Sequence, residues 1–102
     1  MDIAFFSKQR LPDGPPQGYF GVAPELVVEV LSPRDQWAEV QKKVAEYFSI
    51  DVQRVWVVNP RKRTVLVYRS ATEAQELAEG DTLVGEGVLA GFAIAVETLF
   101  RR

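Results

Sequence analysis

The length, composition and charge of the chain limit what it can be. Its 102 residues are 47% hydrophobic and 25% charged, which is typical of a single globular domain over residues 1–102. Cysteine and histidine are absent, which excludes disulfides, thiolate zinc sites and nucleophiles activated by histidine. The net charge of -2 argues against a strongly basic nucleic-acid-binding surface but leaves room for a local basic patch. With no leader and no apolar run of membrane-spanning length, we expect a cytoplasmic protein.

The first part of the chain predicts a strand and then a long loop. Residues 2–6, DIAFF, consist mostly of β-prone residues. The stretch from Ser7 to Gly21 contains three prolines and three glycines, too many for a helix or a strand. A loop of this length is either a flap beside a substrate or a slack connection.

A buried strand followed at once by a helix is predicted next. Residues 26–31, LVVEVL, are apolar except for Glu29, which is typical of a strand covered on both faces. Ser32 as N-cap and Pro33 at the first helical position predict a helix that begins there and ends near Ser49. Helical periodicity predicts one apolar stripe that packs on the sheet: Trp37, Val40, Val44, Tyr47 and Phe48.

The second half of the chain predicts β-structure. Residues 54–58 and 64–68 are strands joined by a turn at residues 59–62, so they should form an antiparallel hairpin. Shorter strands and a terminal turn are predicted at 74–78, 83–84, 92–96 and 97–100. The order of elements predicts an α/β fold with a mixed sheet, one major helix and C-terminal hairpins.

Two acidic residues in β-prone segments are candidates for a metal site. A carboxylate inside an apolar strand costs free energy unless it is paired, protonated or bound to metal, so Glu29 needs a partner. That partner could be an arginine, Arg34 or Arg54, in an ordinary ion pair. If the strand of Asp2 lies beside that of Glu29, however, the two carboxylates converge and suit Mg²⁺. The alternative for Asp2 is an exposed terminal residue.

Helical periodicity distinguishes the two adjacent lysines. With Trp37 at zero, the apolar stripe centres near ~320°, Lys43 lies near ~240° and Lys42 near ~140°. Lys42 should therefore face solvent, whereas Lys43 flanks the stripe and could approach Glu29 and a bound phosphate, or simply be a lysine at the core boundary. The basic run at residues 61–63 could contact phosphates or be a solvated turn.

Several segments, in order, resemble the Uma-type endonuclease family, part of the PD-(D/E)XK, restriction-endonuclease-like superfamily. They are APELVVEVLSP at 23–33, KVAEY at 43–47, VWVVNP at 55–60 and RTVLVY at 63–68. The resemblance extends to DIAFF at 2–6 and to VLAGFAIAVETLF at 88–100, and so covers nearly the whole chain.

This resemblance implies a nuclease site. Asp2 matches the aspartate of the PD element and Glu29 the acidic residue of the (D/E)XK strand. The position two residues after Glu29 is Leu31, so the resemblance implies that Lys43 supplies the missing ammonium. In the implied reaction Asp2, Glu29 and the Val30 carbonyl bind Mg²⁺ or Mn²⁺. Lys43 orients or helps to deprotonate a water, and a DNA phosphodiester is cleaved.

The chain also departs from the family pattern. Met1 stands at the proline position and Glu25 replaces an aspartate, and we expect the helix and strands that precede this point in the family to be missing. We therefore expect an N-terminally truncated fold with an open sheet edge that pairs as a homodimer or larger assembly, and with reduced or lost activity. The rival functions are a non-catalytic assembly or nucleic-acid-binding module on the same fold, and a structural domain whose acids only form ion pairs.

Overall fold

The computed structural model describes residues 2–7 and 23–100 and confirms the mixed α/β fold. Within them no helix is long and apolar enough to cross a membrane. The predicted loop from Ser7 to Gly21 lies, after Ser7, outside the described residues. The elements are β1 (Ile3–Phe5), β2 (Leu26–Val30), α1 (Trp37–Ser49), β3 (Arg54–Asn59), β4 (Thr64–Ser70), β5 (Glu73–Leu77), β6 (Thr82–Val84) and β7 (Ala93–Ala95), with 3-10 turns at Gly87–Leu89 and Val96–Phe100.

The main sheet has five strands in the order β1-β2-β3-β4-β5. Only β2 and β3 are parallel, and α1 connects them, because parallel strands need a crossover connection. The predicted hairpin of β3 and β4 is confirmed as antiparallel. Its turn is closed by Asn59, whose Oδ1 accepts the backbone N–H groups of Arg61 and Lys62 at 3.1 Å each.

Both faces of this sheet are covered. Val40 and Val44 of α1 lie on one face, against a buried cluster that includes Val27, Val55 and Val57. On the other face, β6 and β7 form a two-stranded sheet. Buried residues of β4, of β6 and of the terminal 3-10 turn form a second cluster there: Val65, Val67, Leu83 and Val96. The middle of the sheet is therefore covered on both faces. In the strand predicted to be covered on both faces, at 26–31, Val27 and Val28 are buried on opposite faces but Val30 is 44% exposed.

Glu25, immediately before β2, joins three segments at the start of the sheet. Its backbone N–H donates to the Phe5 carbonyl at 2.9 Å, and its own carbonyl accepts the N–H groups of Gln53 and Arg54 at 3.0 Å each. Its carboxylate, only 3% exposed, accepts the Ser7 N–H at 2.7 Å. Glu25 therefore holds the end of β1 and the start of β3 against the start of β2, and this helps to set the register of all three strands.

The predicted start of the helix was wrong. The helix begins at Trp37, and its N-cap, Gln36, lies four residues after the predicted cap at Ser32. Ser32 and Asp35 instead close a turn: the Ser32 carbonyl accepts the Asp35 N–H at 3.1 Å, and Asp35 Oδ2 accepts the Ser32 N–H at 2.8 Å. Because these bonds complete a turn before the helix, Ser32 does not cap it.

The predicted apolar stripe is correct for Val40 and Val44 and in part for Tyr47 and Phe48, but wrong for Trp37. Trp37 is 46% exposed. As the first helical residue it lies beside the turns that follow β2 and β3 and lines a cleft there. The prediction assumed that strands underlie the helix along its whole length, which is not the case at this end.

Candidate functional site

Asp2 and Glu29 occupy neighbouring positions on adjacent strands. In the antiparallel pair of β1 and β2, Ile3 lies opposite Val28, and one step along the register places Asp2 opposite Glu29. Residues directly opposite in an antiparallel pair share a face and have Cβ atoms about 4.5–5.5 Å apart. The structure therefore brings these two carboxylates to the same place, on the face of the sheet that carries α1.

A hydrogen bond holds the Asp2 side chain against β2. Asp2 Oδ2 accepts the backbone N–H of Val30 at 2.6 Å, although Asp2 itself is exposed. This contact fixes the Asp2 carboxylate beside the residue that follows Glu29. The Val30 carbonyl, the third oxygen implied by the family resemblance, belongs to the same end of the strand.

Glu29 is buried and accepts a hydrogen bond from α1. It is 9% exposed, and its Oε1 accepts the Tyr47 hydroxyl proton. Arg54, one of the arginines considered as its partner, forms an ion pair with Glu86 at 3.6 Å instead. The sequence placed Tyr47 only in the apolar stripe. Its position four residues after Lys43, on the same side of the helix, was the available signal, since a buried tyrosine hydroxyl usually finds a partner.

The Tyr47 hydroxyl lies within the field of both site carboxylates. Burial raises the pKa of Tyr47 well above its usual value, and the hydrogen bond and negative charge of Glu29, together with the charges of Asp2 and Glu46, raise the pKa further. Tyr47 is therefore a neutral hydrogen-bond donor to Glu29 over the physiological pH range.

Lys43 and Glu29 line the same small cleft between α1 and the end of β2, here called the Glu29 cleft. Its volume is about 30 Å³, enough for one or two water-sized groups. Lys42 and Lys43 are both exposed, but Lys43 is among the lining residues of the cleft and Lys42 is not. The complete lining is Glu29, Val30, Leu31, Asp35, Glu39, Val40 and Lys43.

The oxygen atoms at this site fit a hard divalent cation. Within residues 2–7 and 23–100, no three acidic, histidine or cysteine side chains come together as a metal site. The oxygens available as ligands in this part of the chain are those of two carboxylates, Asp2 and Glu29, and of the Val30 carbonyl. Mg²⁺ and Mn²⁺ prefer oxygen ligands, and Mg²⁺ commonly binds one or two carboxylates while it keeps several waters.

The basic run at the tip of the β3–β4 hairpin is largely occupied by ion pairs. Lys62 lies 3.3 Å from Glu76, and Arg63 lies 2.6 Å from Glu79. The Arg63 guanidinium also stands 5.4 Å from the centre of the Phe100 ring. Arg61 differs, since it lines the cleft beside Trp37.

With this geometry established, comparison with known proteins identifies the family. Residues 2–97 match the Uma2 family, which is described as "Putative restriction endonuclease". The chain belongs to this family. The matched range includes Asp2, Glu29, Lys43 and Tyr47, and it confirms the family predicted from the sequence motifs. No curated protein matches the chain at a significant level.

A solved structure agrees with this assignment. The chain is similar to a crystal structure from Anabaena variabilis ATCC 29413 described as "a putative nuclease belonging to DUF820", with a TM-score of 0.78 and 29% identity. The similarity covers 93% of this chain and 55% of that chain, so this chain spans about half the length of its neighbour. Family and fold together are nuclease-like.

The coupling between Tyr47 and the site predicts a dependence of stability on pH. Because the pKa of Tyr47 is raised in the folded state, the folded chain holds this proton more tightly than the unfolded chain. The resulting contribution to stability is complete below about pH 10, the usual tyrosine pKa, and is lost as the pH rises further. Urea unfolding should therefore show a steeper loss of stability above about pH 10 in the wild type than in Tyr47→Phe.

Tyr68 is the internal reference for this measurement, because burial also raises its pKa and it is present in both proteins. Parallel curves for the wild type and Tyr47→Phe would show that the hydroxyl is not coupled to the carboxylates.

Proposed function

We propose that the chain carries the active site of a metal-dependent endonuclease that hydrolyses DNA phosphodiester bonds. One arrangement carries the proposal: Asp2 lies opposite Glu29 and is bound to Val30, while Lys43 lines the same cleft as Glu29. The family and the structural neighbour, both described as nucleases, support this function. Asp2, Glu29 and the Val30 carbonyl would hold Mg²⁺ or Mn²⁺.

The protein groups have distinct tasks in the proposed reaction. Tyr47 donates to one oxygen of Glu29 and so orients that carboxylate. The Val30 N–H does the same for Asp2. When bound, the cation would lower the pKa of a water and neutralise charge on the phosphate. The two carboxylates, which repel each other, would be stabilised by its positive charge.

Lys43 is the cationic group of the proposed site. Its ammonium has three N–H donors on a flexible stem, so it can hydrogen-bond a phosphate oxygen or the attacking water. A fixed positive charge beside the phosphate stabilises the negative charge that develops in the transition state. Lys42 provides a matched comparison, because it has the same side chain and does not line the cleft.

Cleavage of plasmid and single-stranded DNA with Mg²⁺ or Mn²⁺ tests the proposal. We expect Lys43→Ala and Glu29→Gln to lower the cleavage rate at least about 100-fold, the usual effect of removing such a group. Lys42→Ala should cleave at the wild-type rate. Equal cleavage by all four proteins would identify a contaminant and remove the nuclease proposal, whereas DNA binding without cleavage would favour a non-catalytic binding module.

Metal binding can be measured separately from cleavage. At ten times its Kd, Mn²⁺ should stabilise the folded chain by about 1.4 kcal/mol and raise Tm by several degrees. We expect Asp2→Asn and Glu29→Gln to lose this shift, while Glu73→Gln on the exposed surface of β5 keeps it. In Glu29→Gln the amide oxygen can still accept the Tyr47 hydroxyl proton. A shift that survives in both site variants would place the metal elsewhere.

We further propose that two copies associate through β1. This strand is at one edge of the sheet in the described part of the chain. Ile3 and Val30 are 58% and 44% exposed on the face opposite α1, and edge strands with apolar side chains favour pairing. Light scattering at micromolar concentration should show a dimer that Ile3→Lys dissociates and Ile50→Lys, a matched change at the end of α1, does not. A monomeric wild type would contradict this proposal.

A further inference from the structure

A second and larger cleft adjoins the Glu29 cleft. Its volume is about 510 Å³, within the ~300–1,000 Å³ range of pockets that hold small ligands. Its walls include Trp37 and Arg61 together with Pro33 and Pro60, and we call it the Trp37 cleft. It lies where β2 and β3, the parallel strands, end, and in open α/β sheets ligands bind in such positions.

The Trp37 side chain presents an aromatic surface to this cleft. It is 46% exposed and makes no ring contact within the described chain, whereas Trp56 stacks on Phe92 with ring centres 6.3 Å apart. An exposed tryptophan face can stack on a nucleic-acid base, whatever its identity, because every base has a π-face.

Arg61 brings positive charge to the same cleft. In the part of the chain that the structure describes it has no ion pair, unlike Lys62 and Arg63 in the same turn. Asp35 is the carboxylate that also lines the cleft, and its Oδ2 accepts the Ser32 N–H. A guanidinium without a carboxylate partner suits a phosphate, which it can bind through two parallel hydrogen bonds.

The two clefts adjoin, because Leu31, Asp35 and Val40 line both. Leu31 is two residues beyond Glu29, about 6.6 Å along an extended chain at ~3.3 Å per residue. Trp37 is six residues before Lys43, about 9 Å along the helix at ~1.5 Å per residue. Because α1 runs antiparallel to β2, the step from Glu29 to Leu31 and the step from Lys43 to Trp37 point in the same direction. By these two routes the Trp37 cleft lies about 7–9 Å from the Glu29 cleft.

We propose that the Trp37 cleft binds an unstacked nucleotide of the substrate strand, with its base on the Trp37 ring and its phosphate on Arg61. It would belong to the same strand as the phosphodiester in the Glu29 cleft and lie close to it. This inference rests on the proposed nuclease function and specifies its substrate as single-stranded or locally unpaired DNA. A base inside a duplex reaches such a pocket only after it leaves the stack, which costs free energy.

Binding of a labelled oligothymidylate, measured by fluorescence anisotropy in EDTA so that no cleavage occurs, tests this inference. Trp37→Ala should weaken binding about tenfold or more, as expected for one lost base stack. Ile50→Ala removes an exposed apolar side chain from the other end of the helix and should bind as the wild type does. Arg61→Ala should lower the slope of log affinity against log salt by about one, and Lys62→Ala should leave it unchanged.

An abasic oligomer with the same number of phosphates separates stacking from charge. The wild type should bind it more weakly than oligothymidylate, and this difference should disappear in Trp37→Ala. Equal affinity for the two oligomers, or unchanged binding by Trp37→Ala, would overturn the inference. Absence of DNA binding by the wild type would also overturn it. The inference would likewise be overturned if Trp37→Ala changed the oligomeric state of the protein and not its affinity for DNA.

The inference and the nuclease proposal fail in different ways. The binding assay contains no metal and so does not depend on cleavage. If DNA binding depends on Trp37 but the protein does not cleave DNA, the inference is supported and the nuclease proposal is wrong. The opposite result is also possible. If cleavage requires metal and is lost in Lys43→Ala, but DNA binding does not depend on Trp37, the nuclease proposal stands and the inference about the Trp37 cleft is wrong.

Discussion

The hydrogen bond between Tyr47 and Glu29 is the contact on which the rest of this site depends. A carboxylate buried in an apolar sheet costs several kcal/mol unless polar groups compensate for the lost water. Glu29 is 9% exposed, and the Tyr47 hydroxyl supplies part of that compensation from α1. The bond therefore links helix to sheet and orients the carboxylate at the same time. A second carboxylate, Asp2, stands opposite, although like charges in this position destabilise a sheet. Such an unfavourable pair is expected where a cation or a reaction uses it.

The position of Asp2 depends on contacts at the opposite end of the strands. Glu25 binds Phe5 and Ser7 on one side and Gln53 and Arg54 on the other, and so aligns β1, β2 and β3. A shift of one residue in an antiparallel pair moves every side chain to the other face. With that shift Asp2 would leave the face that carries α1 and Glu29. A buried glutamate at the start of β2 therefore supports the acidic pair at its end, and this explains its burial better than any role at the site itself.

The sequence predicted much of the fold and the proximity of Asp2, Glu29 and Lys43, for identifiable reasons, while the roles of these residues stay predictions. Strands β2, β3 and β4 show apolar runs bounded by turn residues, and a helical period of 3.6 was sufficient to distinguish Lys43 from Lys42. The sequence indicated that the Tyr47 hydroxyl needs a partner but not that this partner is Glu29, because the direction of the hydroxyl depends on how far α1 lies from β2. The helix start was missed because Ser32-Pro33 is an equally good signal for a cap or a turn. The Asp35 carboxylate accepts the Ser32 N–H and so stabilises the turn.

That displaced helix start also explains why two clefts exist. A helix that began after Ser32 would have placed its first turn over the ends of β2 and β3. Trp37 would then have been one turn inside the helix, in the position predicted by the apolar stripe. Because the chain instead makes a turn at 32–35, the helix begins later, and Trp37 stands at its first position beside the turn that contains Arg61. The space left between the two turns is the Trp37 cleft. It adjoins the Glu29 cleft at Leu31 and Val40, which line both. The turn at 32–35, formed in place of a helix cap, therefore determines what can lie next to the acidic pair.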